Sequence, residues 1–289
     1  MPTPDRIAFT VFGFDVMWYG ILVALAIALT VAIICLRAPK HGVTSDKMLN
    51  YAIIVVIVGV IGARLYYVAF NWDWYGLDLA RIFQLREGGL AIHGGLIFGA
   101  LALLILCRFW KDHPLNLLDL CFAAVPIGQA VGRWGNYFNQ EAHGGPTDLP
   151  WAISIQTAPG VFESVHPTFL YESVWCLLLF VFLMFVDSHR KFKGQTFLLY
   201  CMLYSVERGL VEGLRTDSLM LFGVLKQAQV LSVIIFIAAL IGYVVLNRRA
   251  DLRKKAKLEK AQSEAPETIE AAKTEPETAV DETAAEKSE

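Results

Sequence analysis

Gly132-Arg133-Trp134-Gly135-Asn136-Tyr137-Phe138-Asn139-Gln140-Glu141-Ala142-His143-Gly144-Gly145 follows directly on an apolar run from Leu117 to Val131. The run reads as a membrane helix. At its end the chain sets an arginine, two asparagines, a carboxylate, a histidine and several glycines. Glycine lacks the Cβ that forbids positive φ, so the backbone is free to turn there and to approach a ligand closely. An arginine at that depth costs roughly 2.5–3.5 kcal/mol on insertion scales, so it needs a partner or a task. Arg133 and Trp134 alone would serve as an anchor at the lipid surface. The pattern Arg-x-x-Asn-x-x-Asn-x-Glu points instead to a polar site.

Working outward, the composition excludes an ordinary soluble protein: 56% of the residues are hydrophobic and the mean hydropathy is +0.50. A run of about 20 apolar residues crosses roughly 30 Å of hydrocarbon. Seven such runs stand at about 17–36, 49–70, 90–109, 116–134, 168–187, 195–214 and 226–246. The net charge of −2 hides an asymmetry, because the basic residues gather in alternate loops. One set is Arg37, Lys40 and Lys47, then Arg108 and Lys111, then Arg190, Lys191 and Lys193, then Arg248 through Lys260. Cytoplasmic loops collect such residues, which puts the N-terminus outside and the C-terminus in the cytoplasm. The expected fold is an all-α polytopic membrane protein of seven spans, with a small extracytoplasmic cap at about 135–167 between spans four and five. Residues 1–250 then form the membrane domain. Residues 251–289 form a cytoplasmic tail, first basic and then rich in Glu, Ala, Thr and Pro, a composition that reads as disordered. Five cysteines in or at the apolar runs show neither CxxC spacing nor a disulfide framework. No cleavable signal peptide is evident.

Residues 1–16 read as an outer segment with a short interfacial helix carrying Phe9, Phe12 and Phe14. Arg64 lies about two turns below the outer end of the second span, where its stem can snorkel. His93 stands between the pairs Gly88-Gly89 and Gly94-Gly95, which remove the packing a structural histidine would use. Thr168 and Glu172 read as residues that help to start the fifth span. Arg208, Glu212 and Arg215 are spaced to share one helix face. A charged stripe facing lipid is costly, so this one faces the bundle or a water-filled cavity. Tyr19, Arg64, His93, Arg133, Asn136, Glu141, Glu172, Arg208 and Arg215 all fall near the outer ends of their spans, and nothing comparable is expected at the inner ends. A transporter places its site near the midplane. A one-sided cluster rich in arginine suggests an enzyme acting on an anionic lipid headgroup. A transporter or channel for an anionic solute stays open as the alternative, whereas an intramembrane hydrolase lacks an evident Ser-His or paired-Asp arrangement.

The motifs also carry a resemblance. Gly132-Arg133-x-Gly135-Asn136-x-x-Asn139-x-Glu141-x-x-Gly144 resembles the signature of the bacterial prolipoprotein diacylglyceryl transferases. Glu87-Gly88-Gly89-x-x-x-His93-Gly94-Gly95, His166-Pro167-Thr168-x-x-Tyr171-Glu172, Arg208-x-x-x-Glu212-x-x-Arg215 and Trp18-Tyr19-Gly20 are similar to its other marks. Phe169 stands where the family pattern has glutamine, and His143 where an aromatic is frequent. The resemblance implies a transferase in the bacterial plasma membrane with its active site toward the outer side. Such an enzyme moves the diacylglyceryl group of phosphatidylglycerol to the lipobox cysteine of a pre-lipoprotein signal peptide. A thioether forms and glycerol phosphate leaves, the first step of lipoprotein maturation. No metal, soluble cofactor or nucleic-acid partner is implied. By the same resemblance Arg133 and Arg208 hold the phosphate, while His93 either accepts the thiol proton or positions the headgroup. Tyr19, Arg64, Asn136, Asn139, Glu141, Gly144, Glu212 and Arg215 are the expected substrate-binding residues, with Glu212 orienting the arginines beside it.

Overall fold

Each of the apolar runs forms a helix in the computed structural model, which describes residues 4–84, 88–158, 160–216, 220–221 and 224–273. The N-terminal segment is an antiparallel hairpin of β1 (Ile7–Val11) and β2 (Phe14–Met17). The interfacial helix expected there does not form. Phe12 and Gly13, both at positive φ, make the tight turn that joins the strands. Helix α1 (Trp18–Arg37) follows at once, and α2 (Ser45–Phe70) returns, with the Thr44 hydroxyl accepting from Lys47 N at its start. A short α3 (Trp72–Tyr75) and a 3-10 turn (Leu79–Phe83) lead to α4 (Ile92–Trp110). Next come α5 (Pro114–Asn139), the hairpin β3 (Ile153–Ala158) and β4 (Val161–Val165), α6 (Thr168–Ser188) and α7 (Gln195–Leu214). The pair β5 (Met220–Leu221) and β6 (Leu225–Lys226) precedes α8 (Gln227–Lys273).

Two compact units divide the chain between Tyr243 and Val244. In the first, α5 is the central helix and packs against α1, α6 and α7, while α4 pairs chiefly with α2. One cluster of buried side chains joins α1, α2, α4 and α5 through Ile34, Tyr51, Cys107, Leu117 and Leu120. In the second unit α8 continues as helix to Lys273, where a disordered tail was expected from residue 251. The Ala, Lys, Glu and Arg of this stretch are strong helix formers, so the chain does not need a core to stay helical there. The remainder of the expected tail, 274–289, lies outside the described residues.

Among the described residues six helices are long and apolar enough to cross a membrane: Trp18–His41, Ser45–Phe70, Ile92–Trp110, Pro114–Asn139, Thr168–Ser188 and Gln227–Ala261. The seventh expected span is the helix α7, whose second half carries Glu207, Arg208 and Glu212 and is correspondingly less apolar.

At the end of the bundle away from the N-terminal hairpin stands a buried polar network that sequence reasoning did not anticipate. Arg37 and His41 both reach Asp187 Oδ2, at 2.6 and 3.0 Å. Asn116 bonds His41 in both directions through backbone carbonyls, at 2.8 and 3.1 Å. Arg190 donates to Asp119 and to Asn116 Oδ1, at 3.1 and 2.7 Å. Asp119 also accepts from Gly194 N and Phe197 N, at 2.6 and 3.0 Å, so it caps the first turn of α7 from another helix. The acidic members were hidden in the sequence because each is a single carboxylate beside an apolar run. Their partners satisfy them internally, so the network fastens helix ends together and opens no polar route.

Candidate active site

Helix α5 runs five residues past the end expected from hydropathy and carries Arg133, Asn136 and Asn139 on its last turns. Gln140, at φ 54°, ends it in the left-handed region, and Glu141 N then donates to Asn136 O at 3.1 Å. This is the usual closure of a helix C-terminus. The turn is made by Gln140 and Ala142, not by the glycines on either side. It folds the Glu141 carboxylate back so that Asn136 and Asn139 both donate to its Oε1, at 2.9 and 3.4 Å. The ring of Tyr19 lies on Gly135, where a Cβ would come within 2.8 Å of it, and stands in electrostatic reach of Glu141 and Arg133.

A row of alternating charges crosses from α5 to α7. Arg133 Nε pairs with Glu172 Oε2 on α6, and Arg133 Nη2 donates to the Tyr204 hydroxyl at 3.3 Å. Arg208 Nη1 donates to Glu172 Oε1 at 3.2 Å. Arg208 Nη2 lies 2.7 Å from Glu212 Oε2, close enough for strong attraction although the N–H is not directed at the oxygen. Arg215 Nε stands 4.0 Å from the same oxygen. The carboxylate side chains of Glu172 and Glu212 are 3% and 4% exposed, whereas those of Arg133 and Arg208 are 19% and 24% exposed. The anions are therefore the more deeply enclosed partners, and the arginines keep part of their surface open. A buried carboxylate holding two arginines fixes their planes, and a planar N–H fork is suited to phosphate oxygens.

The far end of the row is pinned by the backbone. Lys226 Nζ donates to the carbonyls of Glu212, Gly213 and Arg215, at 2.7, 3.3 and 2.8 Å, satisfying acceptors that the last turn of α7 leaves open. Gly144 bridges Arg215 as in an antiparallel sheet, with Gly145 N donating to Leu214 O at 3.0 Å. Gly144 N already donates to His166 O at 3.0 Å, so this glycine joins the cap to α7 and does not aim its N–H at a ligand.

The structure thus gathers Tyr19, Arg133, Asn136, Asn139, Glu141, Gly144, Arg208, Glu212 and Arg215 at one end of the bundle. It does not bring in the other two expected residues. Arg64, 5% exposed, is surrounded by backbone carbonyls and neither snorkels nor joins the row. His93 is exposed at the start of α4, with the Tyr66 ring 6.4 Å away, and among the described residues it contacts none of the three arginines.

Glu172 is the residue that sequence reasoning undervalued. Thr168 is the first residue of α6, but neither it nor Glu172 caps the helix, whose N-cap is Pro167 with no side-chain cap. The Thr168 hydroxyl donates instead to Ala142 O in the cap, and Glu172 holds two arginines. The available signal was a single carboxylate within an apolar span, which requires a cationic partner. Glu207 gave the same signal. It is 3% exposed, and among the described residues neither of its carboxyl oxygens has a hydrogen-bond partner. Phe169 packs into the cap core with Ile153, Ile155 and Val165, which accounts for an apolar side chain at that position.

Known proteins resemble this chain over most of its length. The family described as prolipoprotein diacylglyceryl transferase matches residues 6–245. The phosphatidylglycerol–prolipoprotein diacylglyceryl transferase of Clostridioides difficile (strain 630) is 48% identical over 245 residues, covering 85% of this chain and 96% of that one. That of Finegoldia magna is 44% identical over 238 residues, covering 82% and 94%. That of Clostridium novyi (strain NT) is 40% identical over 251 residues, covering 84% and 96%. Such similarity across nearly the whole helical body is specific, and the chain belongs to the prolipoprotein diacylglyceryl transferase family.

Proposed function

We propose that this chain transfers the diacylglyceryl group of phosphatidylglycerol to the lipobox cysteine of a pre-lipoprotein, in a bacterial plasma membrane. The observation that carries the reading is the row of partly exposed arginines on buried carboxylates, in a chain of this family. In the reaction the thiol sulfur attacks the glycerol carbon that bears the phosphate. A carbon–sulfur bond forms, the carbon–oxygen bond breaks with its electrons going to oxygen, and glycerol phosphate leaves. Charge grows on the phosphate as that bond breaks. Arg133 and Arg208 hold the phosphate and stabilise that charge in a site of low dielectric. Glu172 and Glu212 keep the two guanidinium groups in place. Tyr19, Asn136, Asn139 and Glu141 shape the headgroup pocket, and Arg215 closes the row.

A thiol with a pKa near 8.5 is only a few per cent thiolate at neutral pH, so it needs a proton acceptor. His93 is that acceptor in this reading. The family resemblance supports the assignment, and an imidazole is a suitable acceptor near neutral pH; in this structure its ring is exposed at the start of α4, apart from the arginine row.

Seven crossings complete the topology. The seventh is α7, which turns Arg208 and Glu212 toward its protein neighbours and away from lipid. With the basic loops inside, the N-terminal hairpin, the cap and the arginine row lie on the outer side, where a secreted precursor presents its cysteine. The test incubates purified protein in phosphatidylglycerol vesicles with a lipobox peptide and, in parallel, its Cys→Ser counterpart. Lipidation of the cysteine peptide alone supports the assignment. Lipidation of neither by folded protein returns the transporter reading to first place.

A further inference from the structure

We propose that Arg64 is a positioning residue that sets the place of His93, a role that rests on the reading of His93 given above. Its guanidinium has five N–H groups, and five backbone carbonyls accept from it. Arg64 Nε donates to Ile82 O at 2.8 Å. Nη1 donates to Gly88 O and Gly89 O, at 2.8 and 3.0 Å. Nη2 donates to Arg81 O and Gln84 O, at 2.7 and 3.2 Å. The guanidinium also stands 5.1 Å from the centre of the Tyr75 ring. No N–H remains for a phosphate, so Arg64 does not bind the headgroup. It gathers the backbone that leads into α4.

The two residues before it in α2, Gly62 and Ala63, hold the same segment. Ala63 O accepts from Ala91 N at 3.1 Å. Gly94 sits directly against Gly62 O and Tyr66, leaving no room for a side chain. Gly88 and Gly89 take φ of 84° and 76°, and a Cβ on Gly89 would run into the Arg64 guanidinium. Three consecutive residues of α2 therefore fix the chain at Gly88–Gly89, Ala91 and Gly94. His93 lies within this fixed segment, its backbone held and its ring exposed. One planar fork satisfies five carbonyls at once, so these contacts depend on the geometry of the guanidinium and not merely on a positive charge.

The experiment measures kcat and KM for phosphatidylglycerol at saturating lipobox peptide for Arg64→Lys, Gly89→Ala, His93→Gln and the double variant Arg64→Lys/His93→Gln. Lysine keeps the charge but reaches fewer of the five carbonyls. Gly89→Ala disturbs the same junction with Arg64 intact, so it carries the test if Arg64→Lys does not fold. A positioning role predicts that both lower kcat by about tenfold or more, with KM within about twofold of wild type. It also predicts that the double variant is no slower than His93→Gln alone, because the clamp acts only through the histidine. A raised KM with kcat retained would make Arg64 a headgroup ligand and overturn the proposal. So would unchanged kinetics in both single variants, or losses that add in the double variant. If His93→Gln is fully active while Arg64→Lys is slow, the assignment of His93 fails and the clamp acts on something else.

Discussion

Glu172→Gln tests the arginine row at its hub. The carboxylate is 3% exposed and meets Arg133 through one oxygen and Arg208 through the other. Glutamine keeps the volume and one acceptor oxygen but loses the charge, and it turns an N–H₂ group toward one arginine. A charge-assisted hydrogen bond contributes about 1.5–3 kcal/mol, and a broken buried ion pair costs about 3–5 kcal/mol. Those figures apply to fully enclosed partners. Arg133 and Arg208 retain 19% and 24% side-chain exposure, so water offsets part of the loss. The expected destabilisation is roughly 1–3 kcal/mol. Activity should suffer more than stability, because a guanidinium displaced by about 1 Å from its phosphate costs about a hundredfold in rate. The assays are thermal unfolding in detergent against wild type, and the initial rate of peptide lipidation in phosphatidylglycerol vesicles. A variant with wild-type melting and a rate within about twofold of wild type would refute the hub, since the misplaced arginines should be felt in the transition state.

Arg133→Ala and Arg208→Ala should each lower transfer by about a hundredfold or more while the protein still inserts and folds; near-normal turnover in either would remove that arginine from the mechanism. Glu207→Leu should leave melting unchanged or raise it, because it removes a buried carboxyl without a hydrogen-bond partner, a group that costs roughly 1–3 kcal/mol. A clearly lower melting temperature would mean that Glu207 has a stabilising partner. His93→Gln should slow transfer at neutral pH and recover partly as pH rises toward the thiol pKa, when solvent supplies thiolate. Rate profiles that stay parallel for wild type and variant would assign His93 to headgroup positioning. Truncation from Ser263 onward should leave activity in membranes intact, and its loss with insertion preserved would give the tail a role.

The helical body was legible because hydropathy alone marks a span, and the seven runs agree with helix positions to within a few residues except at two ends. Those two exceptions have physical causes. Helix α5 continues through Arg133, Asn136 and Asn139 because Glu172 and Glu141 satisfy these polar side chains, a contact between distant segments that hydropathy does not register. Helix α8 continues through charged residues because helix propensity needs no apolarity. The N-terminal hairpin was missed since its turn, Phe12-Gly13, puts a phenylalanine at positive φ, which no turn rule favours.

At the site, spacing identified the Arg208–Glu212 pair because i, i+4 neighbours share a helix face. Pairings between helices carry no such period. Glu172 therefore read as a residue of a helix start, and Arg64 as one more outer cation. Asp119 and Asp187 at the opposite end went unread for the same reason, since their partners lie on other segments. Residue types located the polar groups, but only packing sorted the arginines held by carboxylates from one that braces the backbone.

In the proposed reaction the thiol displaces phosphate from the glycerol carbon while the arginine row holds the leaving group. The most direct measurement follows two labels at once, using phosphatidylglycerol labelled in its acyl chains and at phosphorus, with purified protein and a lipobox peptide. The predicted result is a peptide heavier by one diacylglyceryl group, carrying acyl label and no phosphorus, with labelled glycerol phosphate released in equal amount. A peptide that gains a single acyl chain, or that retains phosphorus, would contradict the bond cleavage assigned here.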